Sequence, residues 1–230
     1  MTNSVDRRAQ ASQKRQRLMA AAARVLHEQG IERTTLADIA READVPVGNV
    51  YYYFKTKDEL VQAALSEHTA HLDELTARLD ELPDPRDRLK ALVRAWVEQR
   101  DVAARYGCPT GTLAAELGKR ADGTLDAEAG AVIRRLLDWA ARQFREMRLS
   151  GANGNTDGAD DPYDPYAPYD PDDLALTLVA GYQGMSLMAN ALRDPEVMTR
   201  EGARLLHWLD SLQWASPENP LKHFPGPPHQ

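Results

Sequence analysis

One cysteine, Cys108, stands in 230 residues. A single thiol excludes an internal disulfide framework and fits a reducing compartment. No stretch approaches the ~18 to 20 uninterrupted apolar residues of a membrane span. The opening segment, MTNSVDRRAQASQKRQR, lacks the apolar stretch of a signal peptide. A cytoplasmic chain with no membrane contact is the expectation. Also missing is any Ser/His/Asp, Cys/His or phosphate-loop constellation, so neither turnover nor a cofactor is expected. His68 and His71 lie three apart with no third ligand in view, and no metal is expected.

Proline is nearly absent where it would matter most to a helix. Of fourteen, nine fall in two places: Pro162, Pro165, Pro168 and Pro171 in one stretch, and Pro217, Pro220, Pro225, Pro227 and Pro228 in the tail. Because proline inside a helix costs ~3 kcal/mol or more, its positions divide the chain. Between them Leu, Ala, Arg and Glu dominate, β-branched runs are missing, and apolar residues recur at spacings of three and four. That pattern predicts an all-α fold of about nine helices. They are expected over 15–29, 35–43, 47–54, from 56 to the prolines at 83 and 85, 86–104, 110–117, 126–149, 172–193 and 199–214. Gly30 should stop the first, a threonine should open the second, and Thr56-Lys57-Asp58-Glu59 reads as a capping box for the fourth.

Charge is informative once resolved along the chain. Residues 1–60 hold ten Lys or Arg against eight Asp or Glu, a balance of +2, so the remainder carries −9 of the net −7. A mildly basic head could approach phosphates that an acidic body would repel. The expected division is a flexible basic terminus (1–14), a DNA-binding head (15–60), a helical body (61–214) and a disordered tail (215–230). Arg7, Arg8, Lys14, Arg15 and Arg17 in or beside the terminus would be solvated, or serve as a minor-groove arm.

Within the head, "VPVGNVYYYFKTKDEL" places three consecutive tyrosines in one turn of backbone. Neighbours on a helix point about 100° apart, so three adjacent rings cannot all face a core. Some hydroxyls must meet something polar. Two short helices joined by Asp44-Val45-Pro46, with small Ala40 at the crossing and Val50 turned back inward, form a helix-turn-helix pattern. If the second helix lies in a major groove, Val47, Gly48 and Asn49 point at base edges and the next turn rides along sugar-phosphate walls. Tyrosine suits such a wall, since its ring covers hydrocarbon while its hydroxyl donates to a phosphate oxygen. Lys57 adds a charge in the first turn of the following helix, where N-H groups already favour anions. Gly48 costs about 1 kcal/mol of helix propensity and leaves the backbone free to approach DNA.

The stretch "TTLADIAREADVPVGNVYYYFKTKDEL", with the preceding "LHEQGIERTT", resembles the TetR family of transcriptional regulators over about 45 residues. The resemblance implies an all-α homodimer, a three-helix head on each chain that binds a double-stranded DNA operator, and a variable body that binds a small-molecule inducer. It further implies that Thr35, Tyr51, Tyr52, Tyr53 and Lys57 hold phosphates while Val47, Gly48 and Asn49 face bases; either Tyr51 or Tyr53 could pack inward instead. One departure stands out: Asp44 occupies a turn position usually filled by glycine, bringing strain and a negative charge. A ligand-released repressor is the expected reading, with an activator or an inducer-independent architectural protein as alternatives.

For the body, Trp96, Tyr106, Cys108, Leu113, Trp139, Tyr182 and Met185 are the expected pocket candidates, with Glu116 for a cationic ligand. "YGCPTGTLAAEL" resembles a segment of the family subset that includes regulators of electrophile-reducing flavoenzymes, in which the corresponding cysteine senses reactive compounds; a small buried hydrophobe is the other reading of Cys108. Leu178, Gly181, Gly184, Leu205, Trp208, Leu209 and Leu212 form stripes that would serve a dimer interface or an intramolecular core alike. The acidic insert at 150–173, with Pro-Tyr units every three residues, reads as an extended or disordered expansion. Its 153–164 stretch only echoes a calcium loop, with Asn at the first position and Asp in place of the final Glu.

Overall fold

A computed structural model describes residues 2–120, 124–151 and 170–212. Among them the chain is helical throughout, in ten segments: α1 (Thr2–Gln29), α2 (Leu36–Glu42), α3 (Val47–Tyr53), α4 (Lys57–Asp80), α5 (Pro85–Glu98), α6 (Arg100–Tyr106), α7 (Pro109–Leu117), α8 (Leu125–Gly151), α9 (Pro171–Leu192) and α10 (Glu196–Ser211). The expected helix over 86–104 is broken at Gln99, whose ψ of 11° interrupts the α-helical run; taken as one kinked helix, it brings the number to nine. The first helix begins at Thr2 rather than residue 15. No glycine or proline precedes Gly30, and Ala, Gln, Lys and Arg fill the segment, so nothing in it stops helix propagation. The tail, and the insert apart from its ends in α8 and α9, lie outside the described residues.

The helix ends follow their capping chemistry. Gly30 closes α1 with φ 78°, a conformation that a side chain resists. Thr35 opens α2 in a reciprocal box: its hydroxyl accepts from the Asp38 N-H, and the Asp38 carboxylate accepts from the Thr35 N-H at 3.0 Å. At α4 the expected box is displaced by one residue. Thr56 Oγ1 accepts the Glu59 N-H at 3.1 Å, but the Glu59 carboxylate takes the N-H of Lys55 at 2.6 Å.

Two apolar cores result. The first joins Leu18, Ala22 and Leu26 of α1 with Ile39, Val50, Phe54, Leu60 and Ala64, and it also takes in Leu113 and Leu117 of α7 and Leu125 of α8. The second joins α5, α6, α8, α9 and α10 around Leu89, Leu92, Trp96, Phe144, Leu178, Met198 and Leu209. Helix α7 therefore contributes Leu113 and Leu117 to the core of the N-terminal helices, while it also packs on α8 of the body. No helix among the described residues is long and apolar enough to cross a membrane.

Candidate nucleic-acid interface and body site

Val50 anchors α3. It is fully buried in the head core, while Val47, Gly48, Asn49, Tyr51 and Tyr52 on the remaining faces are exposed. Tyr52 is 75% and Tyr51 55% exposed, a large outlay of aromatic surface to leave in water. Nothing lies within 4 Å of where a side chain on Gly48 would begin, so the backbone there is open to a close partner. Tyr53 is different: it is half-buried against the head core and meets Tyr52 edge-on at 5.0 Å. One tyrosine of the three thus supports its neighbour from behind.

Two phosphate candidates are partly engaged. The Thr35 hydroxyl donates to Asp38 Oδ2 at 2.5 Å. A hydroxyl has one proton, and here the helix cap holds it. Those same bonds, with Arg41 adding less, hold the Asp38 carboxyl below the usual range. Lys57 reaches the Glu32 carbonyl at 3.3 Å, and its ammonium has further N-H groups to offer.

Sequence reasoning missed what lies behind α3. Arg17 of α1 is bonded to the turn at Ala43 and Asp44, and the Arg15 guanidinium sits 5.4 Å from the Phe54 ring centroid. These are contacts between residues far apart in the chain, which no local spacing announces.

In the body, four of the expected pocket residues come together. Trp96 and Tyr182 stack with centroids 4.3 Å apart, Met185 is buried in the same core, and Cys108 lies beside Tyr182 and Gln183, whose amide approaches Sγ at 3.5 Å. Burial, with Cys108 alongside, pushes the Tyr182 hydroxyl well above its ordinary pKa, so it remains neutral. Cys108 is buried and caps α7, its sulfur accepting the Gly111 N-H at 3.3 Å. Trp139 shares this core, with its indole N-H on Asp80 at 3.0 Å. Ser186, fully buried on α9, has a hydroxyl with no hydrogen-bond partner among the described residues.

The other candidates go elsewhere. Leu113 is in the head core. Tyr106 sits at the seam between head and body, edge-on to His27 of α1 at 5.7 Å, and His27 Nε2 lies 2.9 Å from the Gly107 carbonyl. Glu116 is committed to the seam too: its carboxylate accepts the Ile31 N-H at 2.6 Å. Adjoining clefts of about 370 and 510 Å³ open on either side of it, lined by residues that include Gly30, Arg33, Arg105 and Arg120. Among the described residues no three His, Cys, Asp or Glu are placed to hold a metal.

The expected interface residues also divide. Leu178, Leu209 and Leu212 are buried by their own chain, as the intramolecular alternative has it. Leu205 and Trp208 are half-buried against the body core, and a side chain on Gly181 would begin 3.1 Å from Leu205, so that pair is where α9 and α10 close on each other. Only Gly184 faces open space. The exposed face of α9 carries Leu176, Leu187, Met188 and Leu192 instead.

A model of the family described as bacterial regulatory proteins, tetR family, matches residues 18–64, which span α2 and α3 with the neighbouring parts of α1 and α4. The HTH-type transcriptional regulator TtgR of Pseudomonas putida is 46% identical over 63 residues, covering 27% of this chain and 30% of that one. BetI of Burkholderia ambifaria is 36% identical over 93 residues, 40% of this chain and 48% of that one. The alignments thus span between about a third and a half of these relatives. The crystal structure of regulatory protein TetR from Rhodobacter sphaeroides superposes with a TM-score of 0.69 at 26% identity, over 84% of this chain and 96% of that one. Residues 18–64 thus match the N-terminal domain of the tetR family of bacterial regulatory proteins, and the helical fold around them is similar to that of a TetR regulatory protein.

Proposed function

We propose that this protein is a sequence-specific DNA-binding transcriptional regulator of the bacterial cytoplasm, acting as a homodimer and released from its operator by a small molecule. The observation that carries the reading is α3: one buried anchor, Val50, under an exposed face of Val47, Gly48, Asn49, Tyr51 and Tyr52. A helix presented in this way suits a major groove, with its first turn at base edges and its tyrosines along the backbone. Support for a second copy comes from Leu176, Leu187, Met188 and Leu192, spread over the outer side of α9, since exposed apolar side chains gathered on one helix favour burial against a partner. Two recognition helices would then reach half-sites about one turn, roughly 34–36 Å, apart. The Trp96, Tyr182, Met185 and Cys108 group, with Ser186 on the same helix as Tyr182, offers an apolar lining with polar handles for an effector. Repression is the simplest outcome of a protein that blocks DNA until a ligand favours another spacing of the heads.

Selection of duplexes from a random pool at rising salt tests this reading. Enrichment of a palindrome with half-sites about one turn apart is the expected result. Binding without enrichment, lost uniformly with salt, would favour an architectural protein instead.

A further inference from the structure

The end of α2 is closed by two nested backbone bonds: Val45 N-H to the Ala40 carbonyl at 2.9 Å, and Asp44 N-H to the Arg41 carbonyl at 3.1 Å. This closure needs a left-handed residue just past the helix end, most often glycine. Here the residue is Asp44, with φ 51°. A side chain in that conformation is strained, and this one also carries a negative charge two residues ahead of Pro46, the cap of α3.

Arg17 answers both problems. Its Nη2 donates to the Ala43 carbonyl at 2.5 Å, the Asp44 carbonyl at 2.7 Å and Asp44 Oδ2 at 3.0 Å. The Ala43 and Asp44 carbonyls lie at the negative end of α2, where a cation is favoured, and charge-assisted bonds to a backbone fix its dihedrals as well as its position. The carboxylate contact alone would count for little, because the Asp44 side chain is almost fully exposed. Arg24, further along α1, is a natural control: it meets the Glu42 side chain at 2.9 Å.

We propose that Arg17 is the positioning residue of the recognition helix. It holds Asp44 in the left-handed turn, offsets its charge, and so sets the direction in which α3 leaves the head. An aspartate can then stand where the turn would otherwise require glycine. The proposal rests on the reading of α3 as the helix that meets DNA.

The test uses the full chain and a duplex recovered from the random pool, with Kd measured by fluorescence anisotropy and thermal melts alongside. Arg17→Gln should raise Kd roughly ten-fold more than Arg24→Gln, which removes the same charge from the same helix. Adding Asp44→Gly to Arg17→Gln should bring Kd back to within about three-fold of wild type, since glycine takes the turn unaided. Arg17→Lys, which keeps the charge but ends on a shorter stem than the one that carries Nη2 to the turn, should fall between wild type and Arg17→Gln, and it serves as the variant if Arg17→Gln does not fold. Equal effects of Arg17→Gln and Arg24→Gln would overturn the proposal, as would Arg17→Lys binding like wild type. A double variant no tighter than Arg17→Gln would also overturn it, because the guanidinium would then be acting on DNA itself. Those results leave DNA binding standing; a wild-type chain that recovers no duplex removes the DNA reading and the proposal with it.

Discussion

Asn49 and Tyr52 lie three residues apart on the exposed side of α3, close enough to touch one duplex yet suited to different parts of it. A carboxamide can bond two atoms on a base edge, whereas a phenol offers one hydroxyl and a broad ring. Tyr52→Phe is therefore expected to weaken binding to all duplexes alike, while Asn49→Ala should relax preference at one operator position by about 1–3 kcal/mol. Parallel titrations against operator and scrambled DNA separate the two outcomes. His68 makes a prediction about pH. Burial above all, then the charges of His27 and His71, push its pKa down to about 4 from 6.5. The unfolded chain takes up that proton first, so the contribution of neutral His68 is complete above pH 6.5 and is lost as pH falls toward 4. Thermal melts across this window should show falling stability, with a shallower slope in His68→Gln; His27, also lowered by burial, supplies part of the remainder.

At the scale of elements, α9 has two apolar faces with different tasks. Leu174, Leu178 and Met185 point into the body, whereas Leu176, Leu187, Met188 and Leu192 are left outside. Leu187, 66% exposed, touches little of its own chain, so Leu187→Glu should cost the fold almost nothing. A charge among these exposed residues is expected to leave a species near the 25.6 kDa monomer mass by light scattering and to weaken binding to a palindrome. Unchanged mass would show that another face pairs. Apolar residues at spacings of three and four give a helix its stripes, but such a pattern does not say which stripe meets its own core. Leu178 and Leu209, suited by pattern to a partner or to a core alike, are buried in the body core.

Across the whole molecule, head and body are tied through α7. Leu113 and Leu117 sit in the head core, the Glu116 carboxylate holds the Ile31 N-H, and Cys108 at the other end of the helix lies beside Tyr182 in the body. Gly30 is fitted to this joint, since a side chain there would begin 2.8 Å from Glu116 Oε1. Glu116→Ala would leave the Ile31 N-H without that acceptor, at an expected cost of about 1–3 kcal/mol in urea unfolding. If α7 carries an effector's influence to the head, the same variant should bind operator yet respond less to an effector; an intact response would place the coupling elsewhere.

By itself the sequence determined most of the elements and the exposed face of α3. Proline and glycine positions, capping threonines and apolar periodicity are local, so α2, α3 and the end of α1 were legible within a residue or two. Asn49, Tyr51 and Tyr52 were legible too, because adjacent aromatic residues on a short helix cannot all be buried. Tertiary structure decided what depends on contacts between distant residues. It placed Leu113 and Leu117 of α7 in the head core, bound Glu116 to a backbone N-H beside two open clefts, and turned Tyr53 inward. It also set Arg17 against a turn that its neighbours in sequence do not contain. Periodicity gives each helix a face, but only packing chooses what that face meets, and the physical reason is that burial is settled by the whole set of helices at once.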